Sequence, residues 1–122
     1  MQKRILIVED NPSERMLERK ILEGAGYTVL ESDNAKDGID IALAEKPDLI
    51  LMDIRLPYKA KGIGAARILR DHEETRNIPI VFLTAYDTFE HKKSVEDIPN
   101  CGFLSKSGDP STITKCVEQF LK

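Results

Sequence analysis

A chain of 122 residues has single-domain length, enough to bury roughly two-thirds of its unfolded surface without disulfide or metal staples. A formal charge of -3 with 32% charged and 41% hydrophobic residues fits an ordinary globular protein and leaves no basic footprint for nucleic acid. Cys101 and Cys116 fit no paired metal spacing and are too few for a disulfide scaffold. No apolar run nears the ~18 residues of a membrane span, and Met1-Gln2-Lys3-Arg4 leads directly into a strand. The expectation is one cytoplasmic domain over residues 1–122, with no membrane insertion and no direct nucleic-acid partner.

Ile5-Leu6-Ile7-Val8 is a continuous apolar run, too short for a helix and β-branched enough for a buried strand, and it ends in Glu9-Asp10. Asn11 then reads as a helix N-cap, with Pro12 at the first position and Glu14 at the capping-box position. Met16, Leu17, Ile21 and Leu22 are expected to face inward, and Gly24 and Gly26 to stop the helix. Tyr27-Thr28-Val29-Leu30 reads as a more polar strand, followed by a helix over Ser32 to Glu45 closed by Pro47.

Leu49-Ile50-Leu51-Met52 is a second fully apolar run, and Asp53 stands at its end. The segment from Pro57 to Gly62 reads as a loop with a glycine hinge, followed by a third helix with Ala65, Ile68 and Leu69 on its buried side. Ile80-Val81-Phe82-Leu83 is a third buried strand ending in Thr84-Ala85. Asp87 with Glu90 caps a fourth predicted helix whose apolar stripe is thin: Phe89, Val95 and Ile98. Pro99 ends it. Cys101 to Leu104 forms the last strand, with Lys106 just beyond, and Asp109-Pro110 opens a final helix with Ile113, Cys116, Val117, Phe120 and Leu121 at packed amphipathic spacing.

Five strand–helix alternations predict an α/β fold: a doubly wound, flavodoxin-like (βα)5 three-layer sandwich around a parallel five-stranded sheet. The purely apolar runs belong inside the sheet and the strands at Tyr27 and Cys101 at its edges, which an order of 2-1-3-4-5 satisfies. Parallel strands then gather Glu9, Asp10, Asp53, Thr84 and Lys106 at one edge of the sheet. Three carboxylates crowded together repel unless a cation binds, and carboxylate oxygens, a backbone carbonyl and waters suit Mg²⁺. One carboxylate can then attack a phosphoryl donor while a lysine and a hydroxyl hold the other phosphoryl oxygens.

Glu9-Asp10 after the first strand, Asp53 followed by Leu56-Pro57, Thr84-Ala85, Phe103 and Lys106 occur in this order along the whole chain. In this the sequence resembles the receiver domains of two-component response regulators, the CheY-like superfamily. The resemblance implies that Asp53 is the phosphoacceptor, served by a histidine kinase or histidine phosphotransfer protein, and that the chain is not an enzyme acting on external substrates. It implies Mg²⁺, with Mn²⁺ as a substitute, held by Asp10, Asp53 and the main-chain carbonyl of Arg55, with Glu9 acting through water. Lys106 and Thr84 would contact the phosphoryl oxygens, Thr84 and Phe103 would form the switch, and Arg55 and Tyr86 would set the kinetics. A downstream protein would be engaged through the fourth predicted helix, the fifth strand and the final helix.

The sequence departs from the family pattern in the loop before Gly62, which lacks the usual Met-Asp, and at Ser107, which replaces a proline. Because a cis bond before a non-proline residue costs about 2.5–4 kcal/mol, Lys106-Ser107 is expected to be trans. Tyr86 is large enough to screen an acyl phosphate from water and slow its hydrolysis. The alternative reading is a receiver-like interaction module that takes no phosphate. A phosphatase with an aspartate nucleophile would place Asp-x-Asp where Glu9-Asp10-Asn11 stands, and no phosphate-binding loop for a flavin follows Val8.

Overall fold

A computed structural model describes residues 2–54, 59–84, 98–106 and 109–121. Five parallel strands, β1 (Arg4–Val8), β2 (Thr28–Ser32), β3 (Leu49–Ile54), β4 (Ile80–Thr84) and β5 (Cys101–Ser105), form one sheet in the order β2-β1-β3-β4-β5. Helices α1 (Pro12–Gly24), α2 (Ala35–Glu45) and α3 (Lys59–Asp71) and a C-terminal helix (Ser111–Phe120) complete the described elements. The doubly wound fold and strand order expected from the apolar runs are therefore those observed. Ile5 to Val8, Leu49 to Met52 and Ile80 to Leu83 are all buried, as strands covered on both faces require. No helix among the described residues is long and apolar enough to cross a membrane.

Side chains alternate across the sheet, so each strand feeds two cores. Ile5, Ile7, Leu49, Leu51, Val81 and Leu83 face the side covered by Leu22 of α1 and Val117 of the C-terminal helix. Leu6, Val8, Ile50, Met52, Ile80 and Phe82 face the side covered by Ala42 of α2 and Ala65, Ala66 and Leu69 of α3. Each fully buried Leu, Ile or Val contributes about 1.5–3 kcal/mol from leaving water, so the two cores carry most of the fold's stability. Cys101 and Cys116 are half-buried and lie against opposite cores, which explains why they are not bonded to each other.

Several local expectations need correction. Met16 and Leu17 are 59% and 54% exposed, and the buried residues of α1 are Glu18 and Leu22. On α3, Ile68 is exposed, and Ala65, Ala66 and Leu69 face inward. Lys59 to Gly62, expected in a loop, open α3: Lys59, Ala60 and Lys61 are good helix formers and outweigh the cost of Gly62. The second strand runs on to Ser32, so α2 begins at Ala35, where the Asn34 side chain accepts the Asp37 N–H at 2.8 Å. The fourth predicted helix lies outside the described residues except for Ile98, which is buried in the core beside Phe82.

Two side-chain ties hold the route into β5. The Thr75 hydroxyl, fully buried, donates to the Leu69 carbonyl at 2.6 Å and closes the end of α3. The Arg70 guanidinium donates to the carbonyls of Pro99 and Asn100 at 2.9 and 3.1 Å, fastening α3 to the residues that lead into β5. Inside β5, Gly102 lies under the ring of Phe120: a Cβ there would sit 2.7 Å from it, whereas a Cβ on Gly24 would meet nothing. Gly102→Ala is expected to lower the unfolding free energy by about 1–3 kcal/mol through overpacking, and Gly24→Ala to leave it unchanged or raise it by up to about 1 kcal/mol. Equal denaturant midpoints for the two variants would contradict this account of β5.

Candidate functional site

The parity of the strands decides which residues meet at their carboxyl ends. Glu9 follows Ile5 and Ile7, Asp53 follows Leu49 and Leu51, and Lys106 follows Gly102 and Leu104, so all three project toward α1 and the C-terminal helix. Asp10, one residue out of phase with Glu9, is exposed. Even so, one carboxylate oxygen each from Glu9, Asp10 and Asp53 lie within 4.8 Å of one another. Three hard anionic oxygens at that spacing suit a hard divalent cation, and the donor set fits Mg²⁺ or Mn²⁺.

Lys106 bridges the cluster. Its Nζ lies 2.6 Å from Asp53 Oδ1, 2.8 Å from Glu9 Oε1 and 3.1 Å from Glu14 Oε2. The Glu9 side chain is fully buried and that of Asp53 is 5% exposed, so their charges meet little water and depend on this ammonium. The Lys106 backbone is tied into the sheet edge, its N–H donating to the Thr84 carbonyl at 2.6 Å.

Helix α1 supplies the rest of the surroundings. Asn11 Oδ1 accepts the Glu14 N–H at 3.0 Å, the expected cap. The reciprocal half of the capping box is not made by Glu14, whose carboxylate goes to Lys106; the Asn11 N–H donates instead to Glu9 Oε2 at 3.2 Å. The Arg15 guanidinium donates to the Glu9 carbonyl at 2.9 Å, so Glu9 is fixed at backbone and side chain alike. Glu18, one turn beyond Glu14, is buried and feels the charge of Glu9.

The titration of these groups follows from burial. Asp53 is raised to about 7, first by desolvation and then by the charge of Glu9, with the hydrogen bond and charge of Lys106 opposing. Glu18 is raised to about 9 by desolvation and by Glu9, with Lys106 again opposing. Burial works to lower Lys106, but the hydrogen bonds and charges of Asp53 and Glu9 together prevail and raise it. The cluster thus holds more negative charge than one lysine balances.

Thr84 ends β4 fully buried, paired with Ile54 on one side and Ser105 on the other, and its side chain is in phase with Phe82 rather than with Leu83. Phe103 pairs with Phe82 and is half-buried against the core formed with α2 and α3. Thr84 and Phe103 therefore share the sheet face opposite the one to which Asp53 and Lys106 belong. Arg55, Tyr86 and Ser107, together with the loop residues Leu56 and Pro57, lie outside the described residues.

Two residues of the site escaped the sequence reading. Sequence spacing gives Glu14 a capping role alone and gives Glu18 none. The signal was the i, i+4 row Glu14, Glu18, Leu22, which places both acids in line with a core leucine. Because the N-terminal half of α1 lies over charged strand ends rather than over the core, its inward row is acidic there and its apolar residues face out.

A family model described as the response regulator receiver domain matches residues 5–118. The polar-differentiation response regulator DivK of Brucella anthropi is 35% identical over 118 residues, covering 97% of this chain and 93% of that protein. Among solved structures, the chemotaxis protein CheY4 of Vibrio cholerae matches at a TM-score of 0.90 and 25% identity over 99% of this chain and 100% of the other. A putative response regulator from Chloroflexus aurantiacus also matches at 0.90 and 25%, covering 99% and 98%. With its sheet order, its strand-end carboxylates and these relatives in agreement, the chain belongs to the response regulator receiver domain family.

Proposed function

We propose that residues 1–122 act as one cytoplasmic receiver domain that accepts a phosphoryl group on Asp53 in the presence of Mg²⁺. The donor is a histidine kinase or a histidine phosphotransfer protein. The observation that supports this reading best is the placement of the Asp53 carboxylate: at the carboxyl end of a central strand, 2.6 Å from Lys106, and grouped with Glu9 and Asp10.

Asp10, Asp53 and the carbonyl of Arg55 would hold the metal ion, with Glu9 contributing through an intervening water. When bound, the ion supplies positive charge that offsets the surplus of the acid cluster and that of the incoming phosphoryl group. An Asp53 carboxylate oxygen attacks phosphorus; the O–P bond forms as the donor's P–N bond breaks, and that electron pair stays on the donor imidazole. Lys106, already against Asp53, pairs with the phosphoryl oxygens, and the Thr84 hydroxyl donates to one of them.

A phosphoryl group adds about -1.5 to -2 charges and three strong acceptors, enough to draw Thr84 toward Asp53. Thr84 and Phe103 share a sheet face, so a shift of Thr84 changes the room available to the Phe103 ring. The response passes to a downstream protein through the fourth predicted helix, β5 and the C-terminal helix. Arg55 and Tyr86 set the rates, Tyr86 by screening the acyl phosphate.

Intact-mass analysis after incubation with Mg²⁺ and acetyl phosphate is expected to show one added phosphoryl group, absent in Asp53→Asn; an equal adduct in that variant would refute the assignment. In Lys106→Ala, amide chemical-shift changes on phosphorylation are expected to vanish, whereas a response like the parent's would remove the lysine from the mechanism.

Metal-free stability should also depend on pH. Folded Asp53 and Glu18 bind protons more tightly than their ordinary values of 3.8 and 4.5, so their contribution is full below those values and is lost as pH rises to about 7 and about 9. The metal-free melting temperature should therefore fall between pH 5 and pH 8, less so in Asp53→Asn. Mg²⁺ at a hundredfold excess over its Kd should restore about 2.7 kcal/mol. Equal pH slopes for the two proteins would contradict the charge assignment.

A further inference from the structure

Glu14 is the third carboxylate at Lys106, and phosphoryl transfer as set out above gives it no part. A lysine ammonium has three N–H donors. It donates to Glu9 and Glu14 at 2.8 and 3.1 Å, and Asp53 Oδ1 stands 2.6 Å from the same nitrogen. In the proposed reaction Asp53 comes to carry three phosphoryl oxygens, and the ammonium has to turn toward them. One of its present partners then gives way.

Exposure decides which contact yields. The Glu9 side chain is fully buried, so loss of Lys106 would leave its charge without cation or water, whereas the Glu14 side chain is 40% exposed and solvent can take the ammonium's place. Glu14 and Lys106 also line a cavity of about 110 Å³ between α1 and the C-terminal helix, which leaves room for that exchange. The contact replaces a local one. Glu14 stands where a capping-box acid turns back to the cap N–H, but the Asn11 N–H donates to Glu9 Oε2 and the Glu14 carboxylate reaches Lys106 instead.

We propose that Glu14 is a positioning residue that restrains Lys106: it holds the ammonium toward α1 while Asp53 is unmodified and releases it as the phosphoryl group forms, so that its contact slows phosphorylation and is absent from the phosphorylated protein. The proposal rests on the phosphoacceptor reading of the same site. A partly exposed ion pair lost on the way to the transition state changes a rate by about two- to fivefold.

The test compares the parent chain with two variants. Glu14→Gln keeps the side chain's size and removes its charge; the exchange of Ser13→Glu with Glu14→Ser keeps the net charge of the first turn and moves the acid to an exposed position off the row that faces Lys106. Intact-mass time courses with acetyl phosphate, at Mg²⁺ concentrations that saturate each protein, give the phosphorylation rate, and removal of the donor gives the half-life of the phosphoprotein. Both variants are expected to be phosphorylated about two- to fivefold faster than the parent and to lose the phosphoryl group at the parent's rate, whereas a loosened fold would alter both rates. A parental or slower phosphorylation rate in Glu14→Gln, a parental rate in the exchange variant, or a half-life changed as much as the phosphorylation rate would overturn the assignment. If the parent takes up no phosphoryl group, the phosphoacceptor reading falls and the restraint with it; an adduct formed equally fast by all three proteins removes the part given to Glu14 alone.

Discussion

The structure depends on one ammonium group placed among carboxylates, two of which, Glu9 and Asp53, water barely reaches. Lys106 stands within 2.6 to 3.1 Å of Asp53, Glu9 and Glu14, linking the end of β5 to β3, β1 and α1. One positive charge cannot balance that many acids, and the upward shift of Asp53 by burial and by Glu9 expresses the deficit. A fold that stores surplus negative charge at the edge of its sheet suits a divalent cation, and in the proposed reaction a phosphoryl group would change that balance again.

The alternation of side chains along the strands separates two tasks. Glu9, Asp53 and Lys106 share the face of α1 and the C-terminal helix, whereas Thr84 and Phe103 share the face of α2 and α3. In the proposed mechanism, charge captured on one face and an aromatic ring repacked on the other would be linked through Thr84 at the end of β4. The sheet would then be the partition between the proposed phosphoacceptor and the proposed switch.

Much of this was legible in the residues because the strands are buried on both faces: three uninterrupted apolar runs cannot be placed anywhere but in the middle of a parallel sheet. Asp53 at the end of one run and Glu9-Asp10 at the end of another then had to converge. Helix surfaces were less legible. Periodicity assumes that a helix packs on an apolar surface along its whole length, and α1 violates this, since its first turns cover the acid cluster. Periodicity alone therefore points Met16 and Leu17 inward and gives Glu18 no place there, the reverse of the observed burial. The start of α3 was misplaced for a different reason: Gly62 suggested a hinge, but the Lys-Ala-Lys run before it is good helix material.

The claim on which the account stands is that Glu9, Asp10 and Asp53 act as one cation site. Anomalous diffraction from crystals grown with Mn²⁺ tests it most directly. The account predicts a single strong peak among these three carboxylates, displaced or lost in Asp53→Asn. A map with no peak there, or with manganese bound elsewhere and this cluster bare, would contradict it.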